Sequence, residues 1–150
     1  MVSCSKEEET AKKIPFIKAA DMSYLPLIES EGTVFLNSHG IAEDALRTLK
    51  ESGCNTIRIR LWHTPSDNHS GFNEVKLLAQ RVKSLGMKVW LTVHYSDTWA
   101  DPGHQSKPSA WNNLTFNQLK IQLEQYTAQI VTQIHPDIFQ IGNEINNGFV

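Results

Sequence analysis

The feature that most constrains the fold is a repeat of strand and helix in which short and long connections alternate. Strands are predicted at residues 16–21, 55–61, 88–93 and 138–142, with helices at 41–52, 74–85 and 116–134. Because the connections are long enough to cross over the sheet, the strands are predicted to be parallel. Short loops follow the helices and long polar loops follow the strands, as in a (β/α)8 barrel whose functional face carries the long loops.

The predicted fold is therefore α/β, the N-terminal half of a (β/α)8 TIM barrel with four parallel strands. A doubly wound sheet is the alternative, but no glycine-rich phosphate-binding turn follows the first strand. A closed barrel typically needs about 250 residues, whereas this chain has 150. We expect a partial barrel domain over residues 15–150, truncated after the fourth strand, and a disordered leader over residues 1–14.

Individual residues are predicted to mark the ends of the helices. Gly53 and Gly86 follow the first two helices and are expected to end them. Asn73 and Thr115 stand before the second and third helices and are predicted to be their N-caps. Residues 33–36 are apolar but few, which indicates a small accessory hairpin.

Composition argues against several functions. A net charge of −2 provides no electrostatic attraction for nucleic acid or for an anionic membrane. The chain contains no apolar run of about 18 residues, so no transmembrane helix is predicted. The histidines lack metal-ligand spacing such as His-Glu-x-x-His, so neither a catalytic zinc nor another cofactor is expected. We expect the protein to be a monomer.

The N-terminal residues contain one candidate attachment site for a lipid. Val2-Ser3-Cys4, followed by Ser-Lys-Glu-Glu-Glu, resembles the processing site of a bacterial lipoprotein, where an acidic run after the acylated cysteine marks export to the surface. By that resemblance Cys4 bears the lipid and is the only contact with a membrane, and the protein is extracellular or on the cell surface. The alternative is a solvated, charged tail.

Polar and aromatic residues follow every predicted strand. They are Asp21 at the end of the first strand, Arg58 and Arg60 on the second with Trp62 after it, His94, Asp97, Trp99 and Asp101 after the third, and Asn143 and Glu144 after the fourth. Because the carboxyl ends of parallel strands meet at one edge, these residues are expected to line one polar, aromatic cleft. The alternative is a generic barrel rim.

The Asn143-Glu144 pair suits the cleavage of a glycosidic bond. A glutamic acid can protonate a leaving oxygen, and an asparagine can hydrogen-bond a sugar hydroxyl. In this chain the pair follows a short apolar strand and Gly142, at the end of the strand where barrel enzymes carry their catalytic groups. An isolated Asn-Glu pair would more often simply begin a surface loop.

The remaining candidates each have a structural alternative. Arg58 and Arg60 share one face of a strand. If that face is the barrel interior, at least one needs a carboxylate partner, for which the candidates are Glu144 and a second acid that this chain lacks. For Arg60 a structural salt bridge at the rim stays open. His94 is either a core histidine or a sugar ligand, and Trp99 and Trp111 are each either a loop plug or a stacking platform.

The segment that carries a family resemblance is residues 91–108, which read LTVHYSDTWADPGHQSKP. It closely resembles the His-Tyr-Ser-Asp-x-Trp-Ala-Asp-Pro loop of glycoside hydrolase family 53, the arabinogalactan endo-β-1,4-galactanases. Residues 20–25, 58–62 and 140–145 are similar to other segments of that family, in the same order. The resemblance runs from about residue 17 to the C-terminus.

The resemblance implies a secreted, retaining hydrolase of β-1,4-galactosidic bonds in galactan or arabinogalactan, active in polysaccharide degradation. It implies that Glu144 is the general acid/base and that Asn143 holds the sugar 2-hydroxyl. By the resemblance Arg58, with Arg60, would orient the carboxylates, and His94, Asp97, Trp99 and Asp101 would line the subsites. Asp21 and Trp62 are further candidates for substrate binding.

The nucleophile of the family is a second glutamate near the end of the seventh strand, which this chain does not reach. The chain is therefore expected to be a fragment that is inactive alone. Two other hypotheses remain. One is a related retaining glycosidase of the mannanase or cellulase type, against which the 94–108 loop argues. The other is a non-catalytic carbohydrate-binding or inert remnant.

Overall fold

The computed structural model describes residues 16–146. The predicted leader at 1–14, with Cys4, lies outside the described residues. The strands are β1 (Ala19–Asp21), β2 (Thr56–Leu61), β3 (Lys88–Val93) and β4 (Ile138–Ile141). The helices are α1 (Leu25–Ser30), α2 (Ala45–Glu51), α3 (Phe72–Ser84) and α4 (Phe116–Ile134), with a short 3-10 helix at Ser109–Trp111.

The four strands form one parallel sheet in the order β1-β2-β3-β4. Asp21 lies beside Arg58, Arg58 beside Trp90, and Trp90 beside Ile138. Each strand is thus followed in space by the next in sequence, without the reversal of order that defines a doubly wound sheet. The predicted half of a (β/α)8 barrel is confirmed.

The apolar core lies between the sheet and the helices. Ile57, Ile59 and Leu61 alternate along β2 with polar residues, and all three are buried. They belong to one cluster that also contains Leu46 of α2, Val75, Leu78 and Val82 of α3, Val89, Leu91 and Val93 of β3, and Ile130 and Ile134 of α4. The opposite face of the sheet therefore carries the polar residues, which is the face that becomes the interior of a closed barrel.

The start of α2 differs from the prediction. The helix begins at Ala45, after Asp44, whose carboxylate accepts a hydrogen bond from the backbone N–H of Leu46 at 2.8 Å. Residues 41–44 are not helical, because Leu36 and Ala42 form an antiparallel bridge instead. The residues of the predicted first turn therefore pair with the segment before them. This pairing forms the small hairpin expected near residues 33–36.

The start of α3 also differs. Gly71 is the N-cap and Asn73 lies inside the first turn, so the predicted cap at Asn73 is wrong. The carboxylate of Glu74 instead reaches back to the backbone N–H of Ser70 at 2.6 Å. A glutamate at this position satisfies a free donor without needing a polar N-cap side chain.

The other predicted helix ends are confirmed. Thr115 caps α4 in a capping box, since its hydroxyl accepts from Gln118 N–H and the Gln118 side chain accepts from Thr115 N–H at 2.9 Å. Gly53 and Gly86 follow α2 and α3 with φ angles of +91° and +73°. These left-handed conformations favour glycine at the end of a helix.

The outer layer of helices is joined by ionic contacts. The Arg81 guanidinium of α3 donates to both carboxylate oxygens of Glu29 at 2.7 Å and to Asp44 at 2.8 Å. These hydrogen bonds raise the pKa of Arg81. In the last turns of α2 and α3, Lys50 donates to the carbonyl of Leu85, and Lys83 donates to the carbonyl of Ile134 at 3.1 Å.

Candidate active site

Polar side chains from β1, β2 and the end of β4 form one connected set. Arg58 Nη1 lies 2.5 Å from Asp21 Oδ2, and Arg58 Nη2 donates to Asn143 Oδ1 at 3.1 Å. Burial would raise the pKa of Asp21, but hydrogen bonds from Ser23 and Arg58 outweigh it and lower that pKa. Asp21, rather than Glu144, is the counter-ion of Arg58, because the parallel register sets the two side by side.

Asn143 is held at both ends of its amide. Its Oδ1 accepts from Arg58, and its Nδ2 donates to the backbone carbonyl of Ala100 at 2.8 Å. The side chain is buried. A primary amide has two N–H donors, and the carbonyl of Ala100 uses one of them. Contact of the other N–H with a sugar hydroxyl stays a prediction.

Glu144 follows in a backbone conformation that side chains rarely adopt, with φ of +51°. Gln105, in the loop after β3, donates from Nε2 to the carbonyls of Asn143 at 2.8 Å and Asp101 at 2.9 Å. Asn146 N–H donates to the carbonyl of Glu144 at 2.8 Å. These bonds hold the strained turn, and the Glu144 side chain stands exposed on the rim.

His94 lies at the same end of the sheet and is buried. Its Nδ1 accepts a hydrogen bond from Ala100 N–H at 3.0 Å, so the neutral ring carries its proton on Nε2. Burial, together with the charges of Arg60 and Arg58, lowers the pKa of His94 to about 4. Nε2 is itself buried and has no hydrogen-bond partner within residues 16–146.

Arg60 is enclosed by aromatic rings. Its guanidinium carbon lies 4.4 Å from the centroid of Tyr24 and 4.3 Å from those of Trp62 and Trp99. Its Nε and Nη2 donate to the hydroxyl of Ser70 at 3.2 and 2.9 Å. Among the described residues Arg60 forms no salt bridge, so the rim ion pair that the sequence left open is not formed.

Trp99 and Trp111 have different environments. Trp99 is 46% exposed and meets Trp62 edge-on, with ring centroids 5.7 Å apart and an angle of 76°. Trp111 is buried and packs against His63, with ring centroids 4.9 Å apart. Trp99 thus has the exposed surface that a stacking platform needs, whereas Trp111 plugs the base of the loop.

The two aspartates of the loop after β3 stabilise that loop. Asp97 accepts from Thr64 N–H at 3.0 Å through Oδ1 and from the N–H and hydroxyl of Ser109 at 2.8 and 2.7 Å through Oδ2. Asp101 accepts from Gly103 N–H at 2.8 Å and pairs with His104 at 3.0 Å. Direct contact of either aspartate with a substrate stays a prediction.

The structure thus brings together nearly all of the predicted site residues at one rim. Asp21, Arg58, His94, Asn143 and Glu144 are linked directly or through the backbone of residues 100–105, and Arg60, Trp62 and Trp99 adjoin them. Sequence reasoning missed Tyr24, Ser70 and Gln105. All three could have been found, since each lies in a loop that follows a predicted strand.

Across residues 16–146, no three histidine, cysteine or acidic side chains are grouped so that they could hold a metal ion. No helix in that range combines the length and apolar character required to cross a bilayer.

The sequence matches the profile of a family described as Glycosyl hydrolase family 53 over residues 17–150. It is 38% identical to an endo-beta-1,4-galactanase of Bacillus subtilis (strain 168), over 89% of this chain and 34% of that protein. It is also 38% identical to a probable arabinogalactan endo-beta-1,4-galactanase A of Aspergillus terreus, over 89% of this chain and 40% of that protein.

Solved structures match as well. The GH53 catalytic domain of Ignisphaera aggregans superposes with a TM-score of 0.86 and 36% identity, over 93% of this chain and 43% of that one. A structure from a study of two fungal beta-1,4-galactanases gives a TM-score of 0.81 and 32% identity, over 89% of this chain and 42% of that one. The chain spans less than half the length of each of these four relatives.

Proposed function

Because the chain belongs to glycosyl hydrolase family 53, we propose that it supplies the acid/base half of an endo-β-1,4-galactanase. The observation that carries the proposal is the setting of Asn143 and Glu144. Arg58 and Ala100 fix the Asn143 amide, and Gln105 holds the backbone that presents Glu144 at the strand end. Rigid placement of the acid and of its neighbouring amide is what hydrolysis of a glycosidic bond requires.

The proposed chemistry retains configuration at the anomeric carbon. Glu144 donates its proton to the glycosidic oxygen while a second carboxylate attacks the anomeric carbon and forms a glycosyl ester. Glu144 then removes a proton from water, and the water cleaves the ester and regenerates both carboxyl groups. We place the second carboxylate in the part of the enzyme that, in the relatives, follows the segment matched here.

The neighbouring residues have proposed binding roles. Asn143 offers its remaining N–H to the 2-hydroxyl of the sugar beside Glu144. His94 offers its fixed Nε2–H to another sugar hydroxyl, because a buried donor without a protein partner is otherwise unfavourable. Arg58 and Asp21 act by keeping Asn143 in place rather than by touching the sugar.

Galactan is proposed as the substrate on the strength of the loop at residues 94–108 and of the names of the relatives. The alternatives are a mannan- or cellulose-cleaving enzyme of similar mechanism and an inert remnant. A hybrid enzyme separates them. It consists of the whole 150-residue chain followed by the part of the Bacillus subtilis galactanase that lies beyond the matched segment.

We expect the hybrid enzyme to release oligosaccharides from galactan and not from mannan or cellulose, measured as reducing ends. The 150-residue chain alone should release none from any of them. A hybrid that unfolds cooperatively but leaves galactan intact would contradict the proposal. Cleavage of mannan or cellulose at a comparable rate would favour the related glycosidase.

We also propose that the protein acts outside the cell, as a monomer that takes part in polysaccharide metabolism. One support is the Cys4 segment with its acidic run. The other is the size of galactan, which is too large to enter a cell intact. Radioactive palmitate should label the native protein, expressed with its complete leader, and should not label Cys4→Ala. Equal labelling of both proteins would exclude a lipid on Cys4.

A further inference from the structure

The guanidinium of Arg60 touches aromatic rings from three successive loops. Tyr24 lies between β1 and α1, Trp62 follows β2, and Trp99 lies in the loop after β3. All three ring centroids are 4.3 to 4.4 Å from the guanidinium carbon, which is cation–π distance. One buried side chain, 3% exposed, therefore sets the relative positions of three loops at the rim.

The rings are the main partners of this charge. Within residues 16–146 Arg60 has no carboxylate in salt-bridge range. The hydroxyl of Ser70 accepts from its Nε and Nη2, and Tyr24 is a further hydrogen-bond partner. A buried guanidinium without a counter-ion is unfavourable unless other groups stabilise it. Planar stacking on ring faces is a contact that arginine makes and lysine makes poorly. The charge and the ring positions thus depend on each other.

Two of the rings remain accessible from the cleft. Tyr24 and Trp99 are each 46% exposed, although each has one face against Arg60. Trp99 is also fixed edge-on by Trp62 and by His94, whose centroids lie 5.7 and 5.6 Å away. His94 is one of the proposed sugar ligands, so the exposed surface of Trp99 adjoins the sugar site.

We propose that Arg60 is a positioning residue that holds Tyr24 and Trp99 as a preformed stacking platform for the sugar chain. The proposal rests on the proposed function. This positioning role replaces the role expected from the sequence, in which Arg60 binds the substrate or orients a carboxylate. The reason is that the rings and Ser70 enclose the guanidinium.

The benefit of the platform is preorganisation rather than a change in the electron density of the rings. A cation on one ring face draws electron density from the other face, which weakens the attraction for sugar C–H groups. In contrast, ordering a mobile aromatic side chain during binding lowers affinity by about 2- to 10-fold per ring. Arg60 removes that penalty for two rings before the sugar arrives.

The first test measures ring positions without any sugar. The edge-on indoles of Trp62 and Trp99 should give an exciton couplet in the circular dichroism spectrum of the 150-residue chain. The couplet is assigned to this pair if it disappears in Trp99→Phe. We expect Arg60→Lys to lose most of the couplet. The matched control is Arg81→Lys, which alters a partly buried arginine of the helix layer and should keep the couplet.

The second test measures sugar binding in the hybrid enzyme. We expect Arg60→Lys to raise KM for galactan about 5- to 50-fold and to change kcat by less than about 3-fold, as loss of uniform binding predicts. Arg81→Lys should leave KM unchanged. Ser70→Ala removes only the hydroxyl that accepts from Arg60. We expect it to weaken the couplet and to raise KM, each by less than Arg60→Lys does. It provides a variant that folds if Arg60→Lys does not.

An unchanged couplet in Arg60→Lys and Ser70→Ala would overturn the positioning role, whatever the hybrid enzyme hydrolyses. A lost couplet with an unchanged KM would overturn the platform role. If Arg60→Lys and Arg81→Lys both lowered stability and did nothing else, Arg60 would be structural only. A folded hybrid without galactanase activity would contradict the proposed function, while the couplet would still decide whether Arg60 positions the rings.

Discussion

The side-chain nitrogen of Gln105 lies 2.8 Å from the carbonyl oxygen of Asn143. The same nitrogen lies 2.9 Å from the carbonyl of Asp101 and 3.4 Å from that of Glu144. One amide therefore fastens the loop after β3 to the backbone on either side of the proposed acid/base. The left-handed conformation of Glu144 is held from outside its own strand.

Replacement of Gln105 should impair catalysis more than binding. Gln105→Met keeps the length of the side chain but removes the donor, so the backbone at Glu144 can relax. Because small displacements of a catalytic group are costly, we expect kcat of the hybrid enzyme to fall about 10- to 100-fold, with KM within about 3-fold. Gln125→Met, on the exposed surface of α4, is the control and should change neither constant. Equal kinetics for both variants would show that the clamp is dispensable.

Removal of the proposed acid/base should be rescued by a small anion. Glu144→Ala should slow galactan hydrolysis by the hybrid enzyme about 10²- to 10⁴-fold, the usual contribution of general acid–base catalysis. An aryl galactoside with a good leaving group needs no proton and should still form the glycosyl ester. Azide should then accelerate turnover and give a β-galactosyl azide, identified by NMR.

Glu124→Ala, which alters an exposed glutamate of α4, is the control for this experiment. It should hydrolyse galactan at the normal rate and should not respond to azide. Unimpaired hydrolysis by Glu144→Ala, or rescue by azide with inverted configuration, would remove Glu144 from the proposed role.

The buried His94 should make stability depend on pH. Its folded pKa of about 4 lies below the ordinary value of 6.5, so the unfolded chain binds the proton more tightly. The contribution of the neutral ring is complete above the unfolded pKa. It is lost as the pH falls from 6.5 toward 4, by at most about 1.4 kcal/mol per pH unit.

Urea unfolding of the 150-residue chain and of His94→Gln across this interval tests the prediction. Other groups titrate in the same range, so the informative quantity is the difference between the two proteins. We expect the wild-type advantage in free energy of unfolding to shrink as the pH falls. A constant difference would mean that His94 does not titrate as its surroundings imply.

The ionic contacts of Arg81 should stabilise the fold without affecting the site. Arg81→Met removes charge-assisted hydrogen bonds to Glu29 and Asp44, and each such bond contributes about 1.5–3 kcal/mol before solvent screening. Because the side chain is 33% exposed, we expect a smaller total loss of about 1–3 kcal/mol. Arg47→Met breaks an exposed pair with Glu51 and should cost less than about 1 kcal/mol.

Much of the fold could be predicted from the sequence because its signals are local. The alternation along β2, the helical stripes, Gly53 and Gly86 each act within a few residues. These signals predicted four parallel strands, their order and the rim that carries Glu144. The family resemblance, carried mainly by the 91–108 loop, is confirmed by the match over residues 17–150.

The predictions that were wrong or incomplete depend on contacts between distant segments. The non-helical segment before Asp44 depends on the bridge from Leu36 to Ala42, which competes with helical periodicity. The partner of Arg58 depends on strand register, which a single strand does not encode. The ring cage of Arg60 is assembled from three loops, and no spacing in the sequence relates them.

The lysines at the ends of α2 and α3 affect where relatives can be recombined. Lys50 and Lys83 each stand in the last turn of one helix and donate to the carbonyl end of the next. A strand-and-helix unit taken from a relative is therefore incomplete unless the preceding lysine comes with it. The last turn of α4 has no basic residue, so α4 has no lysine that could donate to the helix after it. A crossover point after β4 consequently breaks none of these ties.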